Sequence, residues 1–280
     1  FRRVLFRSQK GSGRRMKRKL AVQLYSLRND CEKDFLDVLK FVADVGYKAV
    51  EPAGFYGMDA KTFRKALADL GLEMYSSHRP WCNIDNIAET IDQAGELGLK
   101  MVVCGYGPDD FKDLDAIKRT AEKTNIMQQK LEEAGLTLFQ HNHNWEFARL
   151  DGKIKYQIYA ELCPKVKFQI DAFWSTNFGA EDPVEMLKLF ADRTVLLHMK
   201  DGILKETNSE LRMVNGTYDR KIDLRPLGQG QLDIPAILAA APERIDNVVI
   251  ELDYCSVEMR KAIRESYEYM VKAGLGYGNK

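Results

Sequence analysis

The feature that most constrains this chain is an alternation. Short apolar runs of strand length are separated, again and again, by segments with helical apolar spacing. Leu20 to Tyr25 (LAVQLY) is the first run, and Phe35, Leu36, Leu39, Val42 and Ala43 then recur at helical spacing up to Gly46, where a helix would stop. The same reading predicts strands over 48–51, 72–76, 100–104, 136–141, 165–170, 194–198 and 247–250. It predicts helices over 62–70, 84–97, a long segment ending near 134, 153–162, 183–190, 235–240 and 258–272. Strict alternation of this kind means parallel strands joined by crossover helices. Eight units in 280 residues fit a closed (β/α)8 TIM barrel, which usually takes about 250. An open doubly wound sheet would be expected to carry a glycine-rich turn after its first strand. Here that turn reads Tyr25-Ser26-Leu27-Arg28-Asn29-Asp30, without glycine.

Charge divides the chain into an extension and a body. Residues 1–19 hold nine basic side chains and no acid; without them, 33 basic residues face 41 acidic ones, a balance of −8. Residues 1–18 are therefore expected to be a basic, non-native and disordered extension, with translation starting at Met16 and a single barrel over 19–280. An acidic body argues against nucleic acid as a partner, because phosphate binding needs a basic surface. No run approaches the roughly 18 apolar residues of a membrane span. The five cysteines are widely spaced, odd in number and without a CxxC pair, which speaks against a disulfide framework or zinc knuckle and for a reducing, cytoplasmic setting.

The chemistry-bearing residues gather at the C-terminal ends of the expected strands, where a barrel builds its site. These ends carry Gln23, Glu51, His78, His141, His143, Glu146, Asp171, His198, Lys200 and Glu251, including all four histidines. For any one of them, a hydrogen-bonded strand cap is the commoner explanation. For the whole set, a site is the better one. Glu146, Asp171, His198 and Glu251 follow four consecutive strands and form a candidate ligand set for a hard or borderline divalent cation. Three clustered carboxylates are costly unless a cation offsets them. In the rival assignment, His141 or His143 is the ligand and Glu146 a substrate contact. His143 is also a candidate proton-transfer group. Gln23, Glu51, His78, His141, Trp174 and Lys200 are candidate substrate contacts, Lys200 for an oxyanion or phosphate, and aromatic rings at the strand ends suit the apolar faces of sugars. The long segment from Asp201 to Asp233, with Arg212, Arg220 and Arg225, has the length of a lid or binding loop.

With these residues the chain resembles the xylose-isomerase-like TIM-barrel superfamily of sugar phosphate isomerases and epimerases. The resemblance rests on VQLYSLR at 22–28, HNHNWEF at 141–147, QID at 169–171, HMKD at 198–201, GQGQLD at 228–233 and VIELD at 249–253. It runs from about Lys19 to about Gly274 and specifies no substrate. It implies one divalent metal, typically manganese, otherwise magnesium, cobalt or zinc, at Glu146, Asp171, His198 and Glu251. It also implies proton transfer by metal-bound carboxylates, here Glu146 and Glu251, with His143 as a competing base. The expected function is isomerisation or epimerisation of a sugar or keto-sugar through an enediolate. The alternative is elimination by a lyase or dehydratase, including the C-glycoside deglycosidase type. The expected partners are a small carbohydrate and, for assembly, copies of the chain or a second subunit.

Overall fold

A computed structural model describes residues 17–204 and 222–280, together with the backbone of two short strands at 213–214 and 217–218. Residues 1–16, Arg212 and Arg220 lie outside the described residues. The chain runs through β1 (Arg18–Gln23), α1 (Phe35–Val45), β2 (Ala49–Glu51), α2 (Ala60–Asp69), β3 (Glu73–Met74) and α3 (Ile87–Leu97). It continues through β4 (Met101–Cys104), α4 (Leu114–Glu133), β5 (Thr137–His141), α5 (Lys155–Leu162) and β6 (Lys167–Asp171). It ends with α6 (Pro183–Leu189), β7 (Thr194–Met199), α7 (Ile234–Ala240), β8 (Asn247–Ile250) and α8 (Met259–Lys272).

All eight strands are parallel, in the spatial order β3-β2-β1-β8-β7-β6-β5-β4. The ring closes between β3 and β4. There the Cys82 N–H donates to the Val103 carbonyl at 2.8 Å, beside a parallel bridge from Trp81 to Val103. This is the TIM barrel expected from the alternation.

Period-2 alternation sorts the interior into layers. Ala21, Ala49 and Val249 form one apolar cluster inside the ring, and Val103, Phe139 and Leu196 another. Two residues further along the same strands come Gln23, Glu51, Glu251, His141 and His198. On these five strands the barrel interior therefore changes from apolar to polar in one step. The opposite strand faces, with Leu20, Val22, Leu138, Phe168, Ile170, Leu197 and Ile250, pack against the apolar stripes of the helices in the main core. Asp34, Asp59, Asp113 and Asp233 cap four of those helices by accepting backbone N–H groups. Gly46 ends α1 at φ +115°, and a Cβ there would lie 2.7 Å from the Tyr267 hydroxyl.

Several boundaries shift by one to three residues, and three of the shifts have a visible cause. β1 stops at Gln23, because the Gln23 side chain accepts the Tyr25 N–H at 3.0 Å and starts a 3-10 turn over Leu24–Leu27. Lys153–Ile154 pairs with Arg149–Leu150 in a hairpin, which delays the helix to Lys155. The barrel begins at Arg18 rather than Lys19. Arg18 is buried and donates to the carbonyls of Leu238, Ala241 and Pro242 at the end of α7.

Candidate metal centre

The polar layer converges on one point. Single donor atoms from His141, Asp171, His198 and Glu251 all lie within 4.8 Å of one another, and all four side chains are buried. His78, His141 and His198 form a second overlapping group. Of the four expected ligands, Asp171, His198 and Glu251 are together; the fourth member is His141, not Glu146.

Glu146 is placed elsewhere. β5 ends at His141, so His141 is the inward-facing strand-end residue, and Glu146 falls in the 3-10 turn Trp145–Phe147 beyond it. Its Oε2 accepts the His143 backbone N–H at 2.9 Å and its Oε1 accepts the Gln140 amide at 3.3 Å. Burial drives its pKa up to about 8, against the lowering effect of hydrogen bonds from the backbone and from the Gln140 side chain.

Around the centre the hydrogen bonds are dense. His198 is held at both nitrogens, Nδ1 to Glu251 at 2.8 Å and Nε2 to Glu51 at 2.6 Å. Burial disfavours its charge, but the Glu51 and Glu251 carboxylates outweigh burial and hold its pKa at about 9. Glu51 is saturated: Oε1 also accepts Gln23 at 2.7 Å, while Oε2 accepts Gln169 at 2.8 Å and the Ser76 hydroxyl. Gln169 Oε1 meets both His78 Nε2 at 2.7 Å and His141 Nδ1 at 3.0 Å. Burial depresses the pKa of both these imidazoles. Asp171 is fixed by the backbone N–H groups of Phe173 and Trp174 on Oδ1 at 3.0 and 2.9 Å, and its own N–H donates to Asn142.

Lys200 is fully buried. Its ammonium donates to Asp171 and, at 2.6 Å, to Glu251, and lies 3.4 Å from Asp253. Burial opposes that charge, but Asp171, Asp253 and Glu251 raise its pKa well above the usual lysine value. It is not presented to a substrate anion. Trp174, also expected at the substrate, packs with Phe173, Phe178 and Leu224 in a separate apolar cluster. Gln23 and Glu51 lie beneath the site and hold its residues in place.

Above the centre opens a cavity of about 460 Å³ whose lining includes His78, His141, His143, Glu251 and Asp253. His143 stacks on Trp145 with ring centroids 4.4 Å apart, and its Nδ1 is buried without a hydrogen-bond partner. Asp253 was not singled out from the sequence. Its spacing of two from Glu251 repeats the spacing of Asp171 from Gln169, and that was the available signal.

The donor chemistry suits a divalent cation. With His198 neutral, as a metal ligand must be, four buried carboxylates (Glu51, Asp171, Glu251 and Asp253) face one buried cation, Lys200, an excess of three negative charges where four donor atoms converge.

A family model described as xylose isomerase-like TIM barrel matches residues 39–273. No curated protein matches the sequence. Among solved structures, a sugar phosphate isomerase/epimerase from Parabacteroides distasonis superposes with a TM-score of 0.73 at 22% identity, covering 95% of this chain and 97% of that one. An L-ribulose 3-epimerase superposes with a TM-score of 0.66 at 15% identity, covering 93% and 95%. A xylose isomerase-like TIM barrel protein from Mycobacterium smegmatis, in complex with magnesium, gives 0.61 at 16% identity, covering 92% and 97%. At these identities the likeness is one of fold.

Proposed function

The chain belongs to the xylose isomerase-like TIM-barrel family, and from that premise we propose that it is a divalent-metal-dependent isomerase or epimerase of a sugar or keto-sugar, working through an enediolate. The observation that carries this reading is the convergence of His141, Asp171, His198 and Glu251 beneath a cavity of about 460 Å³. In this proposal those four residues hold the ion. Two imidazoles with two carboxylates suit manganese, cobalt or zinc better than magnesium. When bound there, the ion supplies Lewis-acid polarisation of a substrate carbonyl and a neighbouring hydroxyl.

The chain's own residues supply the rest. Glu51 and Gln169 orient the imidazoles of His198, His78 and His141 from below. His143 lines the cavity with an unpartnered Nδ1, and takes the proton from the carbon beside the carbonyl. Glu251 lines the same cavity and exchanges protons with the substrate there. Glu146 acts through His143, whose backbone N–H it holds; it is a positioning residue in place of the ligand expected from the sequence. Return of the proton to the neighbouring carbon gives isomerisation, and return to the opposite face gives epimerisation.

The test joins metal analysis to solvent-deuterium exchange at the α-carbon across a keto-sugar panel. His141→Ala should lose the metal and exchange together. Glu146→Gln should keep the metal. His143→Ala should keep the metal and slow exchange by about 10²–10⁴-fold. Metal retained by His141→Ala and lost by Glu146→Gln would reverse the ligand assignment. Unaltered exchange in His143→Ala on a verified substrate would remove its proposed role.

A further inference from the structure

We infer that the substrate of this site carries an anionic group, a carboxylate or a phosphate, bound by Arg28 and Arg79 at the cavity mouth. This rests on the reading that the cavity above the metal centre is the substrate site. Both arginines line that cavity, Arg28 after β1 and Arg79 after β3; β3 lies opposite the β7 strand that supplies His198, and β1 lies three strands from the β6 end that supplies Asp171. Each is held by the chain with donors to spare. Arg28 lies over the Tyr25 ring at 4.1 Å, and its Nη1 donates to the Tyr25 carbonyl at 2.8 Å. Among the described residues Arg79 is tied only through Nε, which donates to the Ala53 carbonyl at 3.3 Å, leaving both of its Nη groups as a fork. Neither guanidinium pairs with a carboxylate among the described residues. Glu32 lines the same wall but forms no ion pair with either.

The pattern is polarised. The floor is rich in carboxylates and its one lysine, Lys200, is consumed by three of them. An anionic substituent is therefore repelled from the floor and attracted at the mouth. A planar guanidinium fork matches the paired oxygens of carboxylate or phosphate, and the low-dielectric walls of a cleft strengthen that attraction. A substrate with hydroxyl and carbonyl oxygens at one end and an anion at the other satisfies both ends at once.

Calorimetric titration of the metal-loaded protein with D-glucose, D-glucuronate and D-glucose 6-phosphate tests this without turnover. At least one anionic sugar should bind about tenfold tighter than glucose. That preference should disappear in Arg28→Gln/Arg79→Gln with metal content unchanged. It should persist in Lys118→Gln/Arg119→Gln, which removes the same charge from the exposed face of α4. A preference for glucuronate alone identifies a carboxylate, and one for glucose 6-phosphate alone a phosphate. Equal binding of neutral and anionic sugars, no saturable binding of either anion, or a preference surviving the double arginine variant overturns the inference. Selective anion binding with no deuterium exchange on any substrate would instead refute the proposed reaction and leave this inference standing.

Discussion

At the scale of the residue, the centre turns on which side chain closes β5. The sequence places His141, His143 and Glu146 within six positions, and period-2 alternation cannot say where the strand ends. The structure ends it at His141, and the inward register of Phe139 and His141 then follows. Asp171, His198 and Glu251 stood out as ionisable residues at the ends of consecutive strands, although each has a polar neighbour two positions away in the same register: Gln169, Lys200 and Asp253. Gln169 was harder to read: an amide two positions before an acid resembles ordinary strand polarity. Only its contacts with Glu51, His78 and His141 show that it wires three strands together. Glu146 carries its own prediction. Its carboxyl ionises near pH 4.5 when unfolded and near 8 when folded. The folded state therefore keeps a proton that the unfolded state has lost across that window. The resulting stability is full below about pH 4.5 and drains as pH rises towards 8, by about 1.4 kcal/mol per unit for an isolated group. Glu146→Gln has nothing to ionise, so denaturant unfolding should show wild type losing stability relative to the variant between about pH 5 and about pH 8. Parallel pH profiles would contradict the raised carboxyl.

At the scale of the element, the alternation of strands and helices read directly from apolar spacing, because each strand is buried on its outer face by a helix with its own apolar stripe. What spacing could not show was how the long connection after β7 is fastened. Asp201 does it. Its carboxylate accepts the backbone N–H groups of Gly202 at 2.8 Å, Gly228 at 2.9 Å, Gly230 at 3.0 Å and Leu232 at 3.2 Å. The segment Gly228-Gln229-Gly230 is thereby folded around a buried acid. A Cβ on Gly230 would lie 2.0 Å from Asp201 Oδ1 and 2.3 Å from the Gly202 nitrogen, so glycine is required by close approach. Asp201→Asn leaves one oxygen for four donors and should cost about 2–4 kcal/mol in denaturant unfolding. Gly230→Ala should also destabilise by displacing that carboxylate. A loss below about 0.5 kcal/mol in both variants would mean that this fastening is not needed for the fold.

At the scale of the whole molecule, the barrel spends its hydrophobic effect on two shells and leaves the polar layer to be stabilised by charge. The outer shell lies between strands and helices, and the inner one is the apolar plug of Ala21, Ala49, Val103, Phe139, Leu196 and Val249. Above that plug, four buried carboxylates face one buried lysine when His198 is neutral, as a ligand must be. Removing charges from water costs several kcal/mol per ion unless they are compensated. Metal binding and folding should therefore be linked, since a cation held by four residues from four strands binds only the closed ring. With free manganese, cobalt or zinc at about a hundred times its dissociation constant, linkage gives about 2.7 kcal/mol. For a barrel of this size that corresponds to a rise in Tm of roughly 5–10 °C. Calorimetric scans of chelator-treated protein with and without added ion should show this rise. Asp171→Asn and His198→Ala should abolish it, whereas His143→Ala, outside the ligand group, should preserve it. Each variant is judged by its own metal-dependent increment, so a lowered starting stability does not obscure the result. An equal increment in all three would place the ion somewhere other than the strand ends of this barrel.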